Sequence, residues 1–410
     1  MRFLALLTYS LVLAIPASAQ TGRDPGSPPG AGVSAEDRLV HERMLVLDTH
    51  LDIPARWDDG RWDFGARHRY DWDLSQVDLP RMEEGGLDGG FLVVYTAQGA
   101  LTPEGYRAGR DAALARVAAI HRVLGENRDR VGLAVTADDA ERLDREGRRI
   151  AFLSIENSWP LGDDLSLLAT FHRLGVRLAG PVHNGANQLS DSASGQSSWN
   201  GLSPLGRQWV AEMNRLGMLI DASHASDAAF DQMLELSRTP IVLSHSGPRA
   251  IFDHPRNLDD ARMRRLARAG GVMFVNSIFL VQHDNSPERS AINDRHERWA
   301  ELGPDERRQL LRDRAALDAR RPYTTADFEL FMRSLLHAIE VMGVDHVGLG
   351  ADWDGGGGVI GMDDITALPR ITARLRRHGL GEADIAKIMG GNLLRVLRQA
   401  QAGAAVSARP

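Results

Sequence analysis

The chain has no cysteine, and Lys387 is its only lysine. Without cysteine, neither a disulfide framework nor a lipidated cysteine is available. Basic charge is carried almost entirely by arginine, the formal net charge is −7, and no basic stripe runs along the chain, so nucleic acid is not the expected partner. Long apolar runs are also scarce. The main one, at residues 3–15, is too short and too close to a small-residue cleavage site to favour a membrane span. With Arg2 before it and Ala17-Ser18-Ala19 after it, residues 1–19 read as a secretory signal peptide. The C-terminal stretch 401–410 is small and polar; it reads as a disordered tail and offers no membrane anchor. These features predict an exported protein, periplasmic or secreted. A large core can replace disulfides in a bacterial periplasm.

Residues 20–35 are rich in Gly, Pro and Ser and read as a flexible linker, leaving one domain over 36–400. Short apolar runs at 44–49, 90–96, 150–155, 177–182, 218–223, 241–244, 271–276 and 346–351 alternate with amphipathic stretches. The helices are predicted over 103–124, 136–146, 165–174, 204–216, 225–236 and 325–342, with closing helices at 365–378 and 382–399. Eight alternating β and α units predict a parallel sheet closed into a (β/α)8 TIM-type barrel. Residues 56–70, rich in Trp, Asp and Arg, exceed a minimal barrel, as does the charged insertion 282–322 after the seventh strand. The favoured reading of that insertion is a solvated excursion with a helix near 304–320; a lid over the barrel mouth is the other.

Active sites of such barrels lie at the C-terminal ends of the strands. The first strand ends in His50 and Asp52, two apart and therefore on one side of a strand. Others end in Glu156-Asn157, His183-Asn184, His224, His245 and Asp352-Trp353-Asp354. A single such histidine reads most simply as a structural, hydrogen-bonded residue. Recurrence of His or carboxylate at one topological point weakens that reading. Asp354 is expected to fix the turn before Gly355, and Asp221 to support the ligands from behind. This many donors exceeds the needs of one catalytic zinc and suits two divalent ions about 3.5–4 Å apart sharing a carboxylate. A carbamylated lysine bridges many two-metal barrels, but the only lysine lies in a C-terminal helix. Glu156 is the natural bridge, with His50 and Asp52 on one ion and His224 and His245 on the other. Imidazole and carboxylate ligands favour Zn2+, two per chain.

The motifs Asp48-Thr49-His50-Leu51-Asp52-Ile53-Pro54, Ser154-Ile155-Glu156-Asn157, Val182-His183-Asn184, Asp221-Ala222-Ser223-His224, Leu243-Ser244-His245-Ser246, Pro255-Arg256-Asn257, Asp352-Trp353-Asp354-Gly355 and Gly390-Gly391-Asn392 follow one another in order. In that order the chain resembles the membrane (renal) dipeptidases, binuclear zinc metallopeptidases on a (β/α)8 barrel. The resemblance runs from about residue 40 to 397. It implies the same metal ligands, and it adds roles: His183 on the scissile carbonyl oxygen, Arg256 on the substrate's terminal carboxylate, Asp352 on the proton. It implies a small dipeptide substrate, with a D-residue accepted at the C-terminal position, cleaved by a hydroxide held between the metals. A homodimer is a family-level expectation. Leu51 departs from the pattern, since many members have a polar residue there, and the charged insertion is longer than the family leads one to expect. Two rivals remain. One is a related amidohydrolase acting on N-acyl amino acids, lactones or β-lactams, differing in pocket shape alone. The other is a non-catalytic binding protein, which the filled ligand positions disfavour.

Overall fold

Each predicted apolar run leads into a parallel strand, and eight of the strands form the barrel wall. A computed structural model describes residues 32–407 apart from 59 and 61. The expected signal peptide and most of the expected linker lie outside the described residues. The strands are β1 Leu47–Leu51, β2 Gly89–Val94, β3 Val131–Leu133, β4 Arg149–Ile155, β5 Val176–Ala179, β6 Leu219–Ile220, β7 Val242–Ser246, β8 Val272–Val275 and β9 Val347–Leu349. One sheet runs β1-β2-β4-β5-β6 and another β7-β8-β9, all parallel. A bridge between Asp221 and Val242 joins β6 to β7. A bridge between Leu51 and Trp353, with Asp52 N–H donating to Trp353 O at 2.9 Å, joins the end of β9 to β1 and closes the ring.

β3 is additional to the eight predicted apolar runs. It pairs with the first half of β4, on the edge whose second half takes β5. It is therefore an accessory strand, and the barrel count stays at eight.

Side chains two apart along each strand divide between two cores. Ile150 and Phe152 of β4 point inward with Phe91, Leu178 and Phe274, while Ala151, Leu153 and Ile155 face the helices. The Phe91 and Phe152 rings stack at 5.1 Å inside the barrel. The last helix, Asn392–Ser407, adds Leu393, Val396 and Leu397 to the inner core, which plugs the end where the strands begin. This helix carries the domain past Gln401, correcting the expected disordered tail as far as Ser407. The predicted closing helix at 382–399 is interrupted by a π turn over Lys387–Gly391. Gly390 in that turn packs against Leu45 O, where a Cβ would crowd the carbonyl. At the other end of the linker, Ser34 caps the helix Ala35–Glu42, so the folded domain starts at its last residue.

The insertion holds two helices, Pro287–Glu297 and Pro304–Arg320, packed on a small core of Ile292, Leu310 and Leu317. Buried Arg289 ties them by pairing with Asp284 at 3.3 Å and Asp318 at 2.7 Å. Among the described residues, no helix is long and apolar enough to cross a membrane.

Candidate active site

β1 and β7 both slip register as they reach the C-terminal face. The shift lies between Asp48 and Leu51 in one and between Leu243 and Ser246 in the other, so each spans a histidine. Such irregularities bend a strand and re-aim its side chains. Asp48 secures the first: buried beneath the site, it accepts His50 N–H at 2.9 Å and Ala351 N–H at 3.0 Å. Burial pushes its carboxyl up to about 6, against the pull of those bonds. Gly350 allows the close approach of β9 to this corner, because a Cβ there would collide with Ser244 O.

The side chains converge on one oxygen. Glu156 Oε1 lies 3.0 Å from His224 Nε2 and 3.6 Å from Nε2 of each of His50, His183 and His245. On the far side of His50, its Nε2 is 3.3 Å from Asp52 Oδ2 and 3.9 Å from Asp352 Oδ1. His224 and His245 approach each other through Nε2 atoms 2.9 Å apart. Three overlapping donor sets result: His50–Glu156–His245, Glu156–His183–His224 and His50–Asp52–Asp352. All seven predicted imidazole and carboxylate residues are thus in one cluster. His183 stands as close to Glu156 as two of the expected ligands do, so distance alone does not separate its role from theirs.

Arg256 also reaches the cluster, from the loop after β7. It is buried, with Nη2 3.0 Å from His224 Nε2 and the guanidinium 5.0 Å from the Phe279 ring centre. Its Nε and Nη1 have no hydrogen-bond partner among the described residues. Arg249, the other arginine near this strand end, pairs with Asp227 at 3.1 Å and stays outside the cluster. Asp354 stands in the turn before Gly355, at φ 65°, but its buried carboxylate reaches beyond that turn: it accepts Arg56 Nε at 2.9 Å and the Gln76 and Val77 amides at 3.2 Å.

The donor set fits a divalent cation. Both ring nitrogens of His50 and Nδ1 of His224 are buried without hydrogen-bond partners among the described residues. Unpaired buried polar atoms are costly, and buried charges call for a counter-charge. Burial pushes Glu156 up to about 8 and Asp352 up to about 7, with His50 the main opposing influence on each. Burial opposes a charge on His50, but Asp52 and Glu156 push it up to about 10. Burial holds His224 and His245 well below the usual histidine range. Imidazoles facing carboxylates, with no thiolate, are the donors zinc prefers.

A cavity of about 550 Å3 opens from this centre. Asn293, His296, Glu297, Trp299 and Arg314 line it, so the insertion forms part of the cavity wall. This corrects the favoured reading of a solvated excursion. Tyr95, just beyond β2, and Phe279, beyond β8, are wall residues that the sequence reading passed over; their apolar bodies carry no ligand signature. Tyr95 meets His183 edge-on at 5.0 Å.

The sequence model of the membrane dipeptidase family (Peptidase family M19) matches residues 34–409. The chain belongs to the membrane dipeptidase family. Dipeptidase tcpJ of Claviceps purpurea is 30% identical over 354 residues, 83% of this chain and 73% of that one. The crystal structure of the probable dipeptidase PvdM from Pseudomonas aeruginosa superposes with a TM-score of 0.77 at 29% identity, over 90% of this chain and 98% of that one. A metallopeptidase from Rhodobacter sphaeroides, liganded with a phosphinate mimic of the dipeptide L-Ala-D-Ala, gives a TM-score of 0.69 at 26% identity, over 87% and 99%. As a member of this family, the protein is a metal-dependent dipeptidase on a single-domain barrel of the metal-dependent hydrolase kind.

Proposed function

We propose that the protein is a two-zinc dipeptidase in which Glu156 bridges the ions, His50 and Asp52 complete one site, and His224 and His245 complete the other. The observation that carries this reading is the convergence of four imidazole Nε2 atoms on Glu156 Oε1 within 3.6 Å. Zinc bound there supplies a Lewis acid for the peptide carbonyl and makes water nucleophilic near neutral pH.

The remaining work falls to side chains around the metals. Burial, reinforced by Arg256, pushes His183 down to about 4, so it is neutral at pH 7 and donates an N–H to the carbonyl oxygen as negative charge develops there. Asp352 takes the proton of the attacking water and passes it to the leaving amine, a task suited to a group pushed toward neutrality by burial. Arg256 offers its charge and its Nη1–Nη2 edge, of which Nη1 has no hydrogen-bond partner among the described residues, to the substrate's terminal carboxylate. The mimic of L-Ala-D-Ala bound by the Rhodobacter sphaeroides relative supports a dipeptide substrate that tolerates a D-residue at its C-terminal position. The leader-like residues 1–19 support a place of action outside the cytoplasm.

The test pairs metal analysis of the purified protein with a substrate panel. Two zinc ions per chain and hydrolysis of L,L or L,D dipeptides are expected. Preference for N-acyl amino acids over every dipeptide would reassign the protein to the related amidohydrolases. Glu156→Gln should lower the bound metal toward one ion, and full occupancy by two would remove Glu156 from the bridge.

A further inference from the structure

The lid side of the cavity carries a carboxylate that the metal centre does not use. Glu297, the last residue of the helix Pro287–Glu297, lines the same cavity as Glu156, Arg256 and Asp352. Among the described residues, neither a hydrogen bond nor an ion pair holds it. The other charged groups on that side are engaged. Arg56 donates to Asp354 and, at 2.7 Å, to Asp73 O. Arg314 donates to Tyr70 Oη at 2.7 Å and pairs with Asp318 at 3.7 Å. His296, beside Glu297, is held near 3 by burial and by those two arginines, so it brings no compensating charge.

The position of Glu297 follows from the barrel order. Around the ring β1-β2-β4-β5-β6-β7-β8-β9, β2 and β7 stand diametrically opposite. Arg256 follows β7 and Tyr95 follows β2, with the Glu156 cluster between them. Tyr95 and Glu297 line the same cavity, and the charge of Glu297 reaches the Tyr95 hydroxyl, which burial, Glu156, Asp52 and Glu297 together push up to about 12. A dipeptide with its carboxylate on Arg256 and its scissile carbonyl over Glu156 therefore projects its N-terminal residue toward Tyr95 and the lid. Two residues span at most about 7 Å, so the free amine falls within that half of the cavity.

We propose that Glu297 is the anchor for the substrate's free α-ammonium group, which makes the 282–322 insertion the element that selects unblocked dipeptides. This rests on the dipeptidase reading and deepens it. It assigns the two ends of the substrate to opposite walls: an arginine built on the barrel for the carboxylate, a carboxylate brought in by the lid for the amine. A charge-assisted hydrogen bond in a partly enclosed cavity favours the charged substrate over an isostere that lacks the amine.

The experiment uses the zinc-loaded full-length enzyme with alanyl-alanine, in whichever stereoisomer the wild type turns over faster, and the matched N-propionyl-alanine, which differs only in lacking the ammonium group. The readout is the ratio of the two kcat/KM values. Glu297→Gln is expected to lower that ratio about tenfold, through KM for the dipeptide, and Glu297→Asp to restore part of it. Circular dichroism and metal content check that the variants remain folded and loaded. A ratio unchanged in Glu297→Gln, whether both rates fall together or neither moves, overturns the anchor while leaving the dipeptidase reading intact. A wild type that cleaves N-propionyl-alanine but not the dipeptide overturns both.

Discussion

Ser244 Oγ lies 2.8 Å from Nδ1 of His245, and the same hydroxyl donates to Asp221 Oδ2 at 2.5 Å. A carboxylate only accepts, so the serine proton is committed to Asp221 and His245 must donate through Nδ1. That tautomer leaves the Nε2 lone pair facing Glu156. Asp221 is fixed in turn by Ser223 N–H at 3.0 Å and Ser244 N–H at 2.9 Å. Removing the relay with Ser244→Ala should weaken metal retention by about 10–100-fold with the fold preserved, as judged by chelator competition and circular dichroism. Retention equal to the wild type would mean that the hydroxyl does not orient the ligand.

Arg256 is buried against Phe279, and its Nη1 has no hydrogen-bond partner among the described residues, so the Nη1–Nη2 edge can meet a carboxylate. Lysine keeps the charge but presents a single point donor rather than a fork. Arg256→Lys should therefore reduce kcat/KM for dipeptides by roughly 100-fold, on the order of 3 kcal/mol, while bound metal is unchanged. Steady-state kinetics alongside metal analysis decides it; kinetics like those of the wild type would take Arg256 out of the substrate site.

Asp354 joins two loops that are distant in sequence. Its buried carboxylate holds Arg56 from the turn after β1 and the amides of Gln76 and Val77. Asp354→Ala takes the ion-pair partner from Arg56, which keeps only its bond to Asp73 O, and leaves two amides unpaired; it should destabilise the protein by about 3–5 kcal/mol. Asp354→Asn, which keeps the shape and tolerates the positive φ, should be less damaging. Urea denaturation of both variants measures the difference. An alanine variant as stable as the wild type would show that the loops are held by other contacts.

The barrel was legible because each of its strands is a buried apolar run and six of the eight end in a chemically distinctive residue. The cluster of candidate ligands was legible for the same reason: His50, Asp52, Glu156, His183, His224, His245 and Asp352 all stand at strand ends. Arg256 stands in a loop, and only the family resemblance selected it over Arg249. The strand β3 escaped notice because it has three residues and pairs along half an edge. The helix Asp260–Arg268 buries only Met263 and Leu266 and has little apolar period to read, although Asp259 caps it. The helix Pro287–Glu297 buries only Arg289 and Ile292, yet Ser286-Pro287-Glu288 is a start signal that could have located it. Its place over the cavity depends on tertiary packing, which a heavily charged sequence does not announce.

His41 offers a test of stability away from the metal centre. It sits in the helix Ala35–Glu42, buried between Gly85 O at 3.0 Å and Thr372 Oγ1 at 2.7 Å. Burial pushes it down to about 4, with nearby Arg38 acting in the same direction. In the unfolded chain it titrates near its ordinary 6.5. Between those values the unfolded state binds the proton and the folded state does not, so stability falls as pH drops through this window. Full protonation of the unfolded state corresponds to about 3 kcal/mol, with no further loss from this group below about pH 4. His41→Gln lacks the titration and should show a shallower decline of unfolding free energy from pH 7 to 4.5. Metal loss in acid adds a slope to both proteins, and comparing them at each pH, after chelation, removes it. Parallel curves for wild type and variant would mean that His41 takes its proton equally well in the folded protein.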